Sequence, residues 1–108
     1  MTLAEFRTIL TGITGFSDKV AYRTFKEGSA PALPFICFYV DETNNFKADD
    51  MAYLKKQIIL VELYTATKSP STEALIETAL NEAGIPWDYS ESYIESESVY
   101  LITYEVEV

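Results

Sequence analysis

Carboxylates are the side chains in this sequence with the clearest capacity for chemistry, and they form three clusters. The clusters are Asp41/Glu42, Asp49/Asp50 and Glu91/Glu95/Glu97. Because hard divalent cations bind convergent carboxylates, a small metal-assisted hydrolase is one hypothesis for these positions. No cluster has the spacing of an EF-hand loop, and acidic residues on solvated loops or strand faces explain them more simply. We therefore expect neither a metal site nor a cofactor.

Other catalytic groups are equally scarce. Histidine is absent from the sequence, which removes Ser-His-Asp and Cys-His nucleophile systems as well as imidazole metal ligands. Cys37 lies in the apolar run Phe35–Val40, where it is either a reactive thiol or a small buried side chain. Nothing near it in the sequence would stabilise a thiolate, so we expect a buried thiol. No glycine-rich phosphate-binding motif is present, and the sequence predicts a protein that is not an enzyme.

The formal net charge of −9 is concentrated in one part of the sequence. Residues 1–68 hold eight acidic and eight basic side chains, whereas residues 69–108 hold nine acidic side chains and no basic one. A protein that reads nucleic acid needs a basic surface to displace counterions from phosphates, and a polybasic membrane anchor needs clustered lysine and arginine. The charge argues against both classes, and we expect the base-free segment to form an acidic face.

Length and composition indicate one compact domain over residues 1–108. A chain of 108 residues that is 48% hydrophobic can bury one modest core, and it is too apolar for a disordered acidic tail. A single cysteine provides no intramolecular disulfide. No apolar run approaches the roughly 20 residues of a membrane helix, and Met1–Glu5 does not resemble the start of a signal peptide. We therefore expect a cytoplasmic protein with no membrane partner.

Two helices must position these residues. The first is predicted from Thr2 to Ile13, because Thr2 and Glu5 have the spacing of a capping box. The second is predicted to start at Ser69-Pro70, since proline is well tolerated at the first helical position. It should end near Ala83, with Glu73 and Glu77 facing water. Its predicted buried stripe comprises Leu75, Ile76, Ala79, Leu80 and Ala83.

Five segments have the pattern of strands. They are Val20–Phe25, Phe35–Val40, Tyr53–Thr65, Trp87–Ile94 and Val99–Val108. The element order is therefore α-β-β-β-α-β-β. Runs of strands with no helix between them favour an antiparallel sheet. The predicted fold class is α+β, with an antiparallel sheet of about five strands and two helices packed on one face.

Beyond these patterns, the sequence resembles a known family over almost its whole length. The resemblance is to small tail proteins of phages and prophages of Gram-positive bacteria, namely siphophage minor tail proteins of the tail completion or tail terminator type. The segments that carry it are Tyr22–Cys37, Thr43–Asp49, Val61–Thr65, Thr72–Glu77, Gly84–Trp87 and Glu91–Glu97. The similarity consists of short stretches of like sequence and includes no catalytic motif.

The resemblance implies a structural role. Copies of such a subunit assemble into a ring, usually a hexamer, that caps the tail tube and joins it to the head–tail connector. The implied partners are the major tail tube protein and the connector, and DNA passes through the ring without sequence-specific binding. The implied locations are the host cytoplasm during assembly and then the virion tail. The family has no catalytic residues or cofactor to transfer.

Three regions are the predicted contacts of such a ring subunit. One is the polar loop 41–52, one is the polar link Glu95–Ser98, and one is the C-terminal strand Tyr100–Val108. The predicted interface residues are Asn44, Asn45, Phe46, Glu91, Glu95, Glu97, Tyr100, Tyr104, Val106 and Val108. Two alternatives stay open at this point, since Phe46 can fold back on the core and the last strand can be ordinary sheet core.

A second function is also compatible with the sequence. The base-free segment 69–108 would steer the protein toward cationic surfaces. The alternative is therefore an acidic binding module, a nucleic-acid mimic or inhibitor, that occupies a basic protein partner.

Overall fold

The computed structural model describes residues 1–41 and 57–108. Within those residues the protein is a mixed α+β fold with two helices and one five-stranded sheet. The elements follow the predicted order, and they are α1 (Leu3–Thr11), β1 (Val20–Tyr22), β2 (Phe35–Val40), β3 (Ile58–Thr65), α2 (Pro70–Glu82), β4 (Trp87–Ile94) and β5 (Val99–Glu107).

The sheet has the strand order β1-β2-β3-β5-β4, so that β1 and β4 form its two edges. The pairs β2–β3, β3–β5 and β5–β4 are antiparallel, whereas β1 is parallel to β2. The prediction of a purely antiparallel sheet was therefore wrong at β1. The connection over residues 23–34 explains the difference, because about a dozen residues are enough for a crossover between parallel strands.

The helix starts agree with the sequence signals. The Thr2 side chain accepts a hydrogen bond from the Glu5 amide at 3.1 Å, and the Glu5 carboxylate accepts one from the Thr2 amide at 2.8 Å. The predicted capping box is thus confirmed. Pro70 occupies the first position of α2, but the Ser69 hydroxyl lies 2.7 Å from the Thr72 hydroxyl and does not cap the backbone.

The core lies on one side of the sheet, which we call the inner face. Strand β3 shows it most clearly, since Ile59, Val61 and Leu63 are fully buried while the alternate residues are only half-buried. The side carrying those alternate residues is the outer face. Buried residues of the helices join the same cluster, and they are Phe6, Leu10, Ile76 and Leu80.

The buried stripe of α2 differs from the predicted one. Leu75 was expected inside but is 42% exposed, and Glu73 was expected in water but is only 6% exposed. Ile76 and Leu80 are buried as expected. The buried line of the helix therefore passes through a carboxylate instead of a leucine. This arrangement is tolerable because Glu73 meets a cation and a hydroxyl from other elements.

Candidate functional site

Lys68 joins α2 to the edge strand β4. This residue is the last base in the sequence, and its Nζ lies 2.8 Å from Glu73 Oε2 and 2.6 Å from Glu91 Oε1. The same Nζ donates a hydrogen bond to the Tyr89 hydroxyl at 2.7 Å. That hydroxyl in turn donates to Glu73 Oε1 at 3.0 Å. Two acids of the base-free segment are therefore ion-paired within the subunit, although they share a single cation.

A second polar contact holds α2 against β5. Tyr104 is fully buried, and its hydroxyl donates to Glu77 Oε2 at 2.8 Å. Burial, reinforced by that carboxylate, raises the pKa of Tyr104 and keeps the phenol protonated. Together with the Lys68 cluster, this contact explains why Glu73 and Glu77 turn toward the sheet rather than toward water.

The Lys68–Glu91 pair predicts a pH dependence of stability. The hydrogen bond from Lys68 lowers the pKa of Glu91 below its usual range. A carboxyl whose pKa is lowered on folding stabilises the protein above its unfolded pKa of about 4.3, and that contribution is lost as the pH falls through the folded value. We therefore expect Glu91→Gln to lose less stability than the unmodified protein between pH 7 and pH 3, measured by urea unfolding.

A matched variant controls for the other carboxyl groups. Glu95→Gln removes an acid from the exposed turn after β4, where Glu95 forms no ion pair with a described residue. This variant should keep the pH dependence of the unmodified protein. An identical pH dependence in Glu91→Gln would show that the Lys68–Glu91 pair contributes nothing to stability.

The predicted interface residues fall into different environments. Asn44, Asn45 and Phe46 lie outside the described residues, so their predicted contact role stays a prediction. Glu95 and Glu97 are exposed in the turn between β4 and β5. That turn is closed by backbone hydrogen bonds from the Glu97 amide to the Ile94 carbonyl and from the Ser98 amide to the Glu95 carbonyl, both 3.2 Å.

The C-terminal strand contributes mainly to the core. Tyr104 and Val106 are 0% and 2% exposed, whereas Tyr100 and Val108 are half-buried. The structure therefore places the side chains of Tyr104 and Val106 inside the subunit. The role of this strand in an interface between subunits stays a prediction.

Acidic side chains also occupy the outer face. Asp88 lies directly opposite Glu105 across the β4–β5 pair, and Glu107 follows two residues later on the same face. These three residues line an open cavity of about 460 Å³. Since Glu91 lies on the inner face, the acids of residues 69–108 are spread over both faces of the sheet, and the expected single acidic face was wrong.

Strand β4 has an open backbone edge. Gln57 and Val108 exchange both backbone hydrogen bonds, at 2.7 and 2.9 Å. Because hydrogen-bonded pairs alternate along antiparallel strands, the even-numbered residues of β5 form their backbone hydrogen bonds with β3. The odd-numbered residues of β5 form theirs with β4. The register pairs Asp88 with Glu105, which directs the backbone of even-numbered β4 residues at β5. The residues whose N–H and C=O groups consequently point outward are Trp87, Tyr89, Glu91 and Tyr93.

The outward carbonyls of β1, at the opposite edge of the sheet, are occupied. The Val20 carbonyl of β1 accepts a hydrogen bond from the Arg7 guanidinium at 3.1 Å, and the Tyr22 carbonyl accepts one from the Thr24 amide at 2.8 Å. Sequence reasoning identified β4 as a strand but missed that it is an edge. The sequence offered no clear signal for the edge, because β4 lacks the lysine or proline that often protects one.

The described residues contain little that indicates catalysis. Within 1–41 and 57–108, no group of three or more His, Cys, Asp or Glu side chains is placed to hold a metal ion. Cys37 is 4% exposed, and burial raises the pKa of its thiol to about 11, which confirms the expected buried thiol. No helix in the described part of the chain is long and apolar enough to cross a membrane.

Comparison with known proteins adds no assignment. No family model matches the chain, and neither a curated protein nor a solved structure matches it.

Proposed function

We propose that this chain is a structural phage tail assembly protein. Its copies form a ring, a hexamer by analogy with the family that the sequence resembles, which caps the tail tube and joins it to the head connector. The major tail tube protein and the connector are its partners. It acts in the host cytoplasm during assembly and then as part of the virion tail, as a non-catalytic component.

The exposed acidic turn carries this proposal. Glu95 and Glu97 project from the end of the sheet where β4 turns into β5, and neither forms an ion pair with a described residue. A ring that conducts DNA must not bind the phosphates, because a basic lumen would hold the duplex through counterion release. An acidic turn repeated in every subunit would instead let DNA pass without sequence-specific binding.

A layered subunit is part of the same proposal, with both helices on the inner face of the sheet. The Phe6 ring of α1 lies 5.9 Å from the Phe38 ring of β2, and α2 holds the Tyr104 hydroxyl of β5. Phe38 and Tyr104 both lie opposite Val61 of β3, which supports a common face for the two helices. The outer face would then be available to neighbouring subunits.

Removing the gene from a phage or prophage tests the proposal. We expect tails of irregular length that fail to join heads, and we expect the purified protein to restore joining and to appear as a ring on the tube end by electron microscopy. Tails of normal length that join heads without this protein would reject the proposed function.

A second candidate function is an acidic module that occupies a basic protein partner. The observation that favours it is the outer-face cluster of Asp88, Glu105 and Glu107 around one cavity. Like charges that face each other on a sheet are destabilising unless a cation screens them. Pull-down at low and high salt distinguishes this function, because capture of a basic protein should disappear as salt is raised.

A further inference from the structure

The open edge of β4 is the starting point for an inference about partners. Four residues of this strand direct backbone donors and acceptors away from the sheet, and no described residue hydrogen-bonds to these groups. Two of their side chains are exposed aromatics, Tyr89 at 41% and Tyr93 at 51%. A strand of eight residues with one unpaired edge is a template for strand addition, and exposed tyrosine is typical of interface cores.

We propose that β4 pairs in antiparallel fashion with β4 of a second copy of this chain, around a two-fold axis at Ser90. In this register Trp87 lies opposite the partner's Tyr93, and Tyr89 lies opposite the partner's Glu91. The two sheets then continue into one another. A contact of this kind is isologous and closes after two copies, so it is separate from the head-to-tail contact that a ring requires.

The pattern of outward backbone groups restricts the register. Only odd-numbered residues of β4 can exchange hydrogen bonds across the edge, so they must face odd-numbered residues of the partner. The register centred on Ser90 places aromatic residues opposite each other at both ends, an arrangement that stabilises strand pairs. Moving the centre to Glu91 would place this carboxylate opposite the same carboxylate of the partner, which is destabilising.

Charge does not prevent this pairing. Asp88 lies opposite the partner's Ser92, so no acid meets another directly. The nearest like charges are Glu91 and the partner's Glu91, which are diagonal neighbours on the inner face. Each Glu91 is bound by the Lys68 of its own subunit at 2.6 Å, which reduces the repulsion between the two carboxylates.

A second β4 is also the best occupant that the subunit itself offers. The other edge strand, β1, has its outward carbonyls occupied by Arg7 and by the Thr24 amide. Within the described part of the chain, β4 is therefore the edge strand whose outward amide and carbonyl groups are both free. The β4 strand of a second copy can pair with it along its whole length. The pairing uses a strand rich in aromatic and polar residues, whose two copies place an aromatic pair at each end in the register centred on Ser90.

A cysteine at the two-fold axis tests the register. Ser90 would face the partner's Ser90 in a non-hydrogen-bonded pair, where Cα atoms lie about 4.5 Å apart, within the range of about 4.4–6.8 Å that a disulfide spans. We expect Ser90→Cys to form a disulfide-linked dimer under mild oxidation, detected by non-reducing electrophoresis. Buried Cys37 stays in place, and the unmodified protein shows any background from it.

Ser92→Cys is the matched control, since Ser92 is also an exposed serine of the same strand. In the proposed register the two Ser92 residues are four positions apart, about 13 Å along the strand, so this variant should not cross-link above background. Equal cross-linking of both variants, or none for Ser90→Cys, overturns the proposal. Circular dichroism of both reduced variants shows whether each has folded.

Sedimentation of the unmodified protein provides a second measurement. We expect a concentration-dependent dimer that strengthens with salt, because screening reduces repulsion between two subunits that each carry a net charge of −9. A monomer at every concentration and salt level overturns the proposal. Binding of a lysine-rich synthetic peptide to the β4 edge in preference to a second copy overturns it as well. Normal tails in the gene-deletion experiment would reject the ring without affecting either result.

Discussion

Replacing Ile76 by alanine is expected to lower the free energy of unfolding by about 2–5 kcal/mol, the usual cost of truncating a buried aliphatic side chain. Ile76 is fully buried on α2 and belongs to the core cluster formed by the described residues. Domains of this size are stable by about 5–15 kcal/mol in total. The variant should therefore lose a large part of its free energy of unfolding. Urea unfolding followed by circular dichroism measures the change.

The neighbouring residue provides the matched control. Leu75 precedes Ile76 on the same helix but is 42% exposed. We expect Leu75→Ala to change the free energy of unfolding by no more than about 0.5 kcal/mol, as for most surface substitutions. If both alanine variants had equal effects, the rotation of α2 that buries Glu73 instead of Leu75 would be wrong.

Reversing the charge of the exposed turn is expected to impair DNA passage. The double variant Glu95→Lys with Glu97→Lys adds two cations to each subunit at a position that the ring proposal directs toward DNA. Each new phosphate contact strengthens binding by counterion release, so in a phage carrying the variant we expect a drop in infectious titre of about tenfold or more. Infection carried out at higher salt should partly restore the titre, because salt weakens binding of the new lysines to the phosphates.

A control variant separates this effect from general charge. Glu82→Lys makes the same change at an exposed position at the end of α2, where a cation is compatible with the helix dipole. It should leave the titre unchanged, and all variants should unfold at the same urea concentration as the unmodified protein. A normal titre for the double variant would mean that the acidic turn only contributes solubility.

Local signals in the sequence were reliable where neighbouring residues determine the structure. The bounds of β4 were predicted as Trp87–Ile94 and are observed so, because Gly84 and Pro86 precede the strand and a polar turn follows it. The capping box of α1 was also correct, since both of its partners lie within one helical turn. The burial of Cys37 followed from an apolar run that has similar residues on both sides of the strand.

Other features depended on residues far apart in the sequence. The direction of β1 depends on which strand it pairs with after the crossover, and three residues of strand pattern contain no information about that choice. The rotation of α2 depends on Lys68 and Tyr89, which reach Glu73 from outside the helix. The hydrophobic periodicity predicted a buried Leu75, because periodicity alone cannot show that Lys68 binds Glu73 and allows this carboxylate to be buried instead.

The sequence by itself determined the α+β class, the element order, the scarcity of catalytic groups and the concentration of acid after residue 68. These properties follow from composition and from patterns within single elements. Only the tertiary structure decided that β4 is an open edge, that Lys68 pairs with Glu91 on the inner face, and that Asp88, Glu105 and Glu107 lie on the outer face. Edges and ion pairs arise when distant segments meet, so the order of strands in the sheet decides them.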